Sequence, residues 1–543
     1  MKKKYSHIIW PGLILFFVAA FFYFDKTMII GMDNSFYLDL SALISRGNKF
    51  LIDFFDYRVP IFPLLFSPIY KMGFADFTNR FFMLFSIYSL YGLALYFISL
   101  SLTRSPWKSF LAVLLVFVSI SSRQFDPGRD GAVPLFYHTL ELISLFLLFT
   151  AILVNQTEPS PKKILFYSFF SGILWAMAFI GRPVHLALPL VVSGFTIYWL
   201  YKKWQGKANR NGWLIPVGFL AGLGISALST LWIFYVPDAD YLTLLKKWLL
   251  EIPPVIYRTE PWRIIKKFVT TFYWGLPAIR NIFLPLYWTT YLVSAAGMAV
   301  FFFSESAENI GLKIRSFYQK NKALPLFVLL TGFMAVTTVL LTGSGAKSHE
   351  SPFFTLYFFI LVLVLSNAKL SQHLKNWEIY IFIAAFLLPQ SVDFAKKELK
   401  IYLIDRTNQT DAYLPEKVAA ELKKVTEAED PVLILGAYPA VTRLVDYRPF
   451  MGQTNGTFLY SGSRFFGENY QKNLVQEMEK VNVAYKLFDY PNSTLKVASG
   501  IREDRSNPIY LYIEKYLKDK FIIAAAMENS QLQKVTVYRR KLK

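Results

Sequence analysis

Residues 31–73, GMDNSFYLDLSALISRGNKFLIDFFDYRVPIFPLLFSPIYKMG, decide how the chain is read, because they lie between two apolar segments each long enough to cross a bilayer. The first apolar run ends at Phe24 and Asp33 follows nine residues later, which keeps its carboxylate near the membrane boundary. The spacing of Phe36, Leu40, Leu43 and Ile44 predicts an amphipathic helix lying along that boundary and starting near Ser35. An aromatic return through Asp56, Arg58, Pro60 and Pro63, broken by its prolines, then leads into the second apolar run. An acid, a base and a surface-lying helix are thereby gathered at one interface.

The rest of the chain supports a membrane reading. Its 543 residues are 54% hydrophobic and 18% aromatic, more apolar surface than a soluble core needs. The apolar runs recur at roughly 17–23 residues, the length a helix needs to cross a hydrocarbon core. The net charge of +21 does not indicate nucleic acid, because the Lys and Arg fall in short clusters between apolar runs and not on one basic face. Anionic lipid and topology account for it. With no Cys in the sequence, disulfides, thiol catalysis and Cys-ligated metals are excluded.

Spans are expected at Ile8–Phe24, Phe81–Leu102, Ser109–Ile120, Leu135–Val154, Ile164–Ile180, Val184–Leu200, Trp213–Val236, Ile282–Phe303, Leu324–Leu341, Pro352–Ser366 and Glu378–Val392, about eleven in all. The first has the charge and apolar core of a signal peptide, but no small-x-small cleavage site follows, so it reads as an uncleaved span. With the N-terminus cytoplasmic, clusters such as Lys2-Lys3-Lys4, Lys162-Lys163 and Lys202-Lys203 fall inside. The short outer loops then carry only Arg123, Arg129, Arg182 and Lys347, as the positive-inside rule requires. Residues 25–80, 237–281 and everything after about Asp393 then face outward.

From about Lys396 charge rises and the long apolar runs stop. Helical patterns at Pro415–Thr426, Glu468–Val481 and Pro508–Lys518 alternate with strand-like runs at Val432–Gly436, Phe521–Ala526 and Lys534–Arg539. The expected architecture is therefore a mostly α, polytopic transmembrane helical bundle over residues 1–392, with a small extracytoplasmic α/β domain over 393–543. One glycine, Gly436, follows the first strand, too few for a dinucleotide fingerprint.

Several groups could carry chemistry. A carboxylate at a membrane boundary, as at Asp33, suits general-base work, and Asp33 or Asn34 would equally well cap the helix that follows. Asp126-Pro-Gly is a turn. His138 and Glu141 lie at i, i+3 within the first two turns of a span and share a face; ionisable groups in such a place are costly and mark polar cavities. The same pair, joined by Asp33, could ligate a divalent metal as cofactor. Arg182, in Ile180-Gly-Arg-Pro-Val-His185, could clamp a phosphate through paired N–H donors or anchor a hairpin at the interface. Arg58, Lys71, Lys347 and a group from Arg258 to Lys267 extend an outer positive field that would attract an anionic lipid-linked substrate or ordinary headgroups. No P-loop, GxSxG or HExxH motif occurs.

The order of parts resembles the GT-C membrane glycosyltransferases, in the branch of protein mannosyltransferases and lipid-A aminoarabinose transferases that use polyprenyl-phosphate sugars. The features that carry it are the outer loop opening Gly-Met-Asp33-Asn, a helix ending Arg46-Gly47, and aromatic-Asp56-Tyr-Arg58-Val-Pro60-Ile-Phe-Pro63. Glu141 early in the fourth span, the Gly181-Arg182-Pro183 turn, His349 opening the tenth span and Val432-Leu-Ile-Leu-Gly436 in the tail complete it. The resemblance implies Asp33 as the base that activates the acceptor and Arg58 and Arg182 as contacts of the donor phosphate; His138, Glu141 and His349 are further candidate substrate-binding residues. Protein mannosyltransferases usually have Asp-Glu where this chain has Asp33-Asn34, so the implied acceptor is a lipid or cell-envelope glycan, in a bacterial inner membrane. Two other readings fit the basic outer loops: a transporter or flippase for an anionic lipid-linked substrate, and a noncatalytic envelope assembly factor.

Overall fold

The computed structural model describes residues 3–24, 32–50, 54, 60–121, 132–157, 160–182, 185–206, 209–234, 323–342, 355–356, 358–359, 362–363, 414–427, 430–435, 441–445, 448–449, 476–481, 483–488, 508–528 and 534–541. The described helices are α1 (Lys3–Phe24), α2 (Met32–Ser45), α3 (Ile61–Lys71), α4 (Asp76–Thr103), α5 (Pro106–Ser121), α6 (Ala132–Thr157), α7 (Pro161–Gly181), α8 (Ala187–Trp204), α9 (Leu214–Phe234), α10 (Ala323–Thr342), α11 (Leu414–Val425), α12 (Val441–Leu444) and α13 (Pro508–Lys520). The strands are β1 (Pro431–Leu435), β2 (Arg448–Pro449), β3 (Val483–Phe488), β4 (Phe521–Glu528) and β5 (Lys534–Arg540). The chain clusters into two compact units, Met1–Met28 with Phe81–Trp232 and Thr259–Leu399, and Ile29–Arg80 with Ile233–Arg258 and Lys400–Lys543.

The first unit is a helical membrane bundle. Among the described residues, four helices are long and apolar enough to cross a bilayer: α4, α6, α7 and the 214–233 stretch of α9. Of the eleven expected spans, eight coincide with described helices to within a few residues: α1, α4 to α10. The expected spans Ile282–Phe303 and Glu378–Val392 lie outside the described residues, as does most of Pro352–Ser366.

Because lipid offers no hydrogen bonds, the helices associate through small residues and paired hydroxyls. Ser144 on α6 and Ser171 on α7 exchange bonds: each hydroxyl donates to the other residue's carbonyl, at 2.7 and 2.9 Å. On its other side α7 meets α9 almost backbone to backbone. Ser168 and Gly172 face Gly218 and Gly222, and a Cβ at Gly172 would run into the Phe219 carbonyl, one at Gly222 into the Phe169 carbonyl. Trp204, Leu228 and Trp232 of α8 and α9 stay exposed, as expected of surfaces that face lipid chains.

The second unit joins the first loop to the C-terminal segment, and here the structure corrects the sequence reading. The helix α2 starts at Met32 and not near Ser35, so Asp33 sits in its first turn instead of capping it. It is not a surface-lying amphipathic helix either: Tyr37, Leu38, Asp39, Leu40, Ser41, Ala42 and Leu43 are consecutive and all buried. The reason is that α3 packs along one side of it and α12 along another. Gly47, at φ +90°, ends α2 in the left-handed conformation a helix stop favours, with Asn48 N–H bonded to Leu43 O at 3.1 Å. The proline-broken return also contains a helix, α3. Pro60 precedes it and Pro63 falls in its first turn, where the missing N–H would have had no intrahelical acceptor.

The C-terminal segment forms a five-stranded mixed sheet in the order β2-β1-β3-β5-β4, with β1 parallel to β2 and β3, and β5 antiparallel to β3 and β4. Successive side chains on a strand point to opposite faces, so Val432 and Val483 pack with Val418 and Leu422 of α11 and Val441 of α12, whereas Leu433 and Ala484 pack with Ile513 and Leu517 of α13. The result is helices on both faces of a small sheet. Its central strand, β3, was not among the expected strands. Of the expected helix Glu468–Val481, residues 476–481 are described.

Replacing Gly222 by Ala puts a methyl group against the Phe169 backbone, which cannot rotate away. The variant is expected to lose about 1–3 kcal/mol, read as an earlier thermal unfolding midpoint in detergent. A midpoint equal to that of the parent protein would disprove the close approach of α7 and α9.

Candidate functional site

Two turns into α6 the helix buries His138 and Glu141, spaced i, i+3 on one face as their positions require, at 1% and 0% exposure. Their partners come from distant parts of the first unit. The Glu141 carboxylate accepts from His185 Nδ1 at 2.7 Å, and its same oxygen, Oε2, lies 4.0 Å from His138 Nδ1. On the far edge of its ring, His138 Nε2 is 2.7 Å from Thr355 Oγ1, which is 3.0 Å from the Tyr91 hydroxyl on α4. The Trp175 indole N–H on α7 donates to the His185 carbonyl at 2.6 Å, fixing the backbone that carries the imidazole.

The turn after α7 sets this geometry. Gly181 ends the helix where a Cβ would collide with the Tyr137 ring, so α6 and α7 close tightly at that level. Arg182 then leaves the helix in extended backbone (φ −154°, ψ 97°), and the chain brings His185 back under Trp175 before α8 starts. Arg182 is half-buried.

A carboxylate at Glu141 that accepts the hydrogen of His185 Nδ1 orients the ring, and an acid that orients an imidazole in this way prepares it for proton transfer or ligand contact. Three buried atoms of the centre, Glu141 Oε1, His138 Nδ1 and His185 Nε2, have no hydrogen-bond partner among the described residues. Each such group costs about 1–3 kcal/mol if it stays unpaired. Their concentration around one carboxylate suits a further polar group, such as a hydroxyl that donates to Glu141 and accepts from an imidazole.

Among the residues expected from the sequence, His138, Glu141 and Arg182 belong to this centre or its border. Asp33 belongs to the other unit, in the first turn of α2, and Arg58 and His349 lie outside the described residues. The sequence reading did not single out His185, Thr355, Tyr91 or Trp175. His185 stands in the same quoted hairpin as Arg182, but nothing local marks its pairing with a residue 44 positions earlier. Among the described residues no group of three His, Cys, Asp or Glu could hold a metal ion.

A bundle of apolar helices with a buried carboxylate early in α6, and a mixed α/β segment packed on the first loop, make up a fold that known structures share. Two solved structures carry that comparison. The crystal structure of ArnT from Cupriavidus metallidurans in the apo state superposes with a TM-score of 0.53, and the same protein bound to undecaprenyl phosphate with 0.51. Both alignments cover 97% of this chain and 98% of the other at 11% sequence identity. No protein-family model matches the sequence, and neither does any curated protein.

Removing the His185 imidazole leaves the Glu141 charge buried without its donor, so His185→Ala is expected to cost about 3–5 kcal/mol. Glu141→Gln keeps an acceptor for the Nδ1 hydrogen while removing the charge, and should cost clearly less. Chemical unfolding in detergent gives the order; the reverse order would rule out the pairing described.

Proposed function

We propose that the chain is a membrane glycosyltransferase that moves a sugar from a polyprenyl-phosphate donor to a lipid or cell-envelope glycan acceptor on the extracytoplasmic side of a bacterial inner membrane. The observation that carries this reading is the shared fold, over 97% of the chain, with a protein crystallised on undecaprenyl phosphate. Residues 1–392 then form the transferase part, N-terminus cytoplasmic, and residues 393–543 an outer α/β domain.

The reaction asks little of the protein beyond charge and position. As the bond between the anomeric carbon and the phosphate oxygen breaks, the bonding pair leaves with the phosphate, and positive charge develops on the sugar. Arg58 and Arg182, cations at the outer surface, would stabilise the departing phosphate. Asp33 takes the proton of the acceptor hydroxyl as its oxygen attacks from the opposite face, so the product is inverted at the anomeric carbon. His138, Glu141 and His349 are assigned to substrate contacts. For Glu141 the support is its Oε1, without a hydrogen-bond partner among the described residues and an acceptor suited to a sugar or acceptor hydroxyl.

The test is transfer of label from a radiolabelled polyprenyl-phosphate sugar in membranes holding the full chain. Asp33→Asn is expected to reduce transfer by about 10²-fold or more, with the protein still present and folded. Full transfer by that variant would remove the proposed base, and a wild-type chain that moves no label from any polyprenyl-phosphate sugar would remove the reading itself.

A further inference from the structure

The chemistry proposed above leaves one buried charge of the first loop unused. Asp39 lies on α2 six residues after Asp33, with its side chain fully buried. Its partner is Arg443, on α12 and itself 1% exposed: Arg443 Nη1 donates to Asp39 Oδ1 at 2.9 Å. The same guanidinium reaches a second carboxylate, with Nε donating to Asp76 Oδ1 at 2.6 Å in the first turn of α4, and Arg80 pairs with the other oxygen of Asp76 at 3.1 Å.

The connection also runs the other way. Arg46, at the end of α2, donates to the carbonyls of Arg443 and Val445 at 3.2 and 3.5 Å, groups that the short helix α12 leaves unbonded at its C-terminal end. The Tyr70 hydroxyl of α3 is buried beside these ions without a hydrogen-bond partner among the described residues. Burial raises its pKa far above the ordinary tyrosine value, so it stays neutral. Two carboxylates and two guanidiniums balance there, and loss of the Arg443 guanidinium would take from the fully buried Asp39 its partner on α12. A guanidinium can meet two carboxylates on different elements with donors of one rigid plane, which an ammonium cannot.

We infer that Arg443 is a positioning residue: through Asp39 and Asp76 the C-terminal α/β segment holds in place the helix that carries Asp33. This rests on the function proposed above. Asp39 and Asp33 are separated by about 9 Å along a stiff helix, so a clamp at the first fixes where the second stands. Arg46 fixes the far end of the same rod.

The experiment uses Arg443→Met and Arg443→Lys in the full chain, with two readouts. Transfer from the labelled donor is normalised to folded protein. Amide hydrogen exchange is followed over residues 32–45 and, separately, over α13 and β5. In Arg443→Met, kcat should fall about ten- to a hundred-fold, as misplacing a reacting group does, with the donor KM unchanged. Exchange in α2 should quicken while α13 and β5 keep their protection, and Arg443→Lys should fall between that variant and the parent. If Arg443→Met does not fold, the lysine variant carries the same comparison.

Unchanged kcat and unchanged α2 exchange in both variants would overturn the inference. So would α2 and the sheet losing protection together, which would make Arg443 a general stabilising residue. Should Asp33→Asn retain full transfer while α2 alone loosens in the Arg443 variants, the transfer reading fails and the clamp stands. Should Asp33→Asn be inactive and the Arg443 variants fully active, the clamp fails alone.

Discussion

Hydrocarbon cannot accept or donate a hydrogen bond, and this constraint organises the membrane unit. It forces the backbone into helices, and it then leaves every polar side chain inside a helix with two options. Some turn back on their own helix: the Thr139 hydroxyl bonds to Leu135 O at 2.7 Å and Ser168 to Ile164 O at 2.8 Å. The others must find each other across helices. Ser144 meets Ser171, and the chain from Tyr91 through Thr355 to His138, with Glu141 and His185 beside it, draws together α4, α6, the turn before α8 and the segment at 355. The candidate site is therefore also a packing device. It differs from the serine pair in that three of its buried atoms lack hydrogen-bond partners among the described residues.

The features legible in the sequence are those that composition and local spacing control. Span positions follow from apolar length, so α4, α6, α7 and α9 came close to their expected bounds. His138 and Glu141 follow from i, i+3 spacing inside an apolar run, which marks a costly polar face whatever surrounds it. The order of these parts, read together, was enough to anticipate the fold that the two ArnT structures share with this chain. Strands Phe521–Glu528 and Lys534–Arg540 were legible because apolar, β-forming runs there are bounded by polar residues.

What escaped was decided by partners far away in the chain. Asp39 stands between Leu38 and Leu40, and nothing local announces its ion pair with Arg443, 404 positions later. The amphipathic appearance of α2 was real, but a second covering layer hid its polar side as well. Val483–Phe488 is interrupted by Lys486 and follows a helical pattern closely, so its place at the centre of the sheet depends on pairing with β1 and β5. His185 has no periodic context at all; its importance comes from the Glu141 carboxylate. Gly172, Gly218 and Gly222 were passed over because small residues inside an apolar run change nothing in its hydropathy, although they decide how near two helices come.

The pairing of Asp39 with Arg443 spans 404 residues, and this separation has a meaning in the order of synthesis. A ribosome adding about 5–20 residues per second needs about 20–80 s to cover such a distance. Throughout that interval the first-loop helix exists without the cation that neutralises it, while the intervening helices enter the bilayer. The acid-bearing segment is among the earliest parts to emerge and among the last to reach its final setting. A chain cut short before position 443 would therefore carry Asp39 without the guanidinium that meets it here.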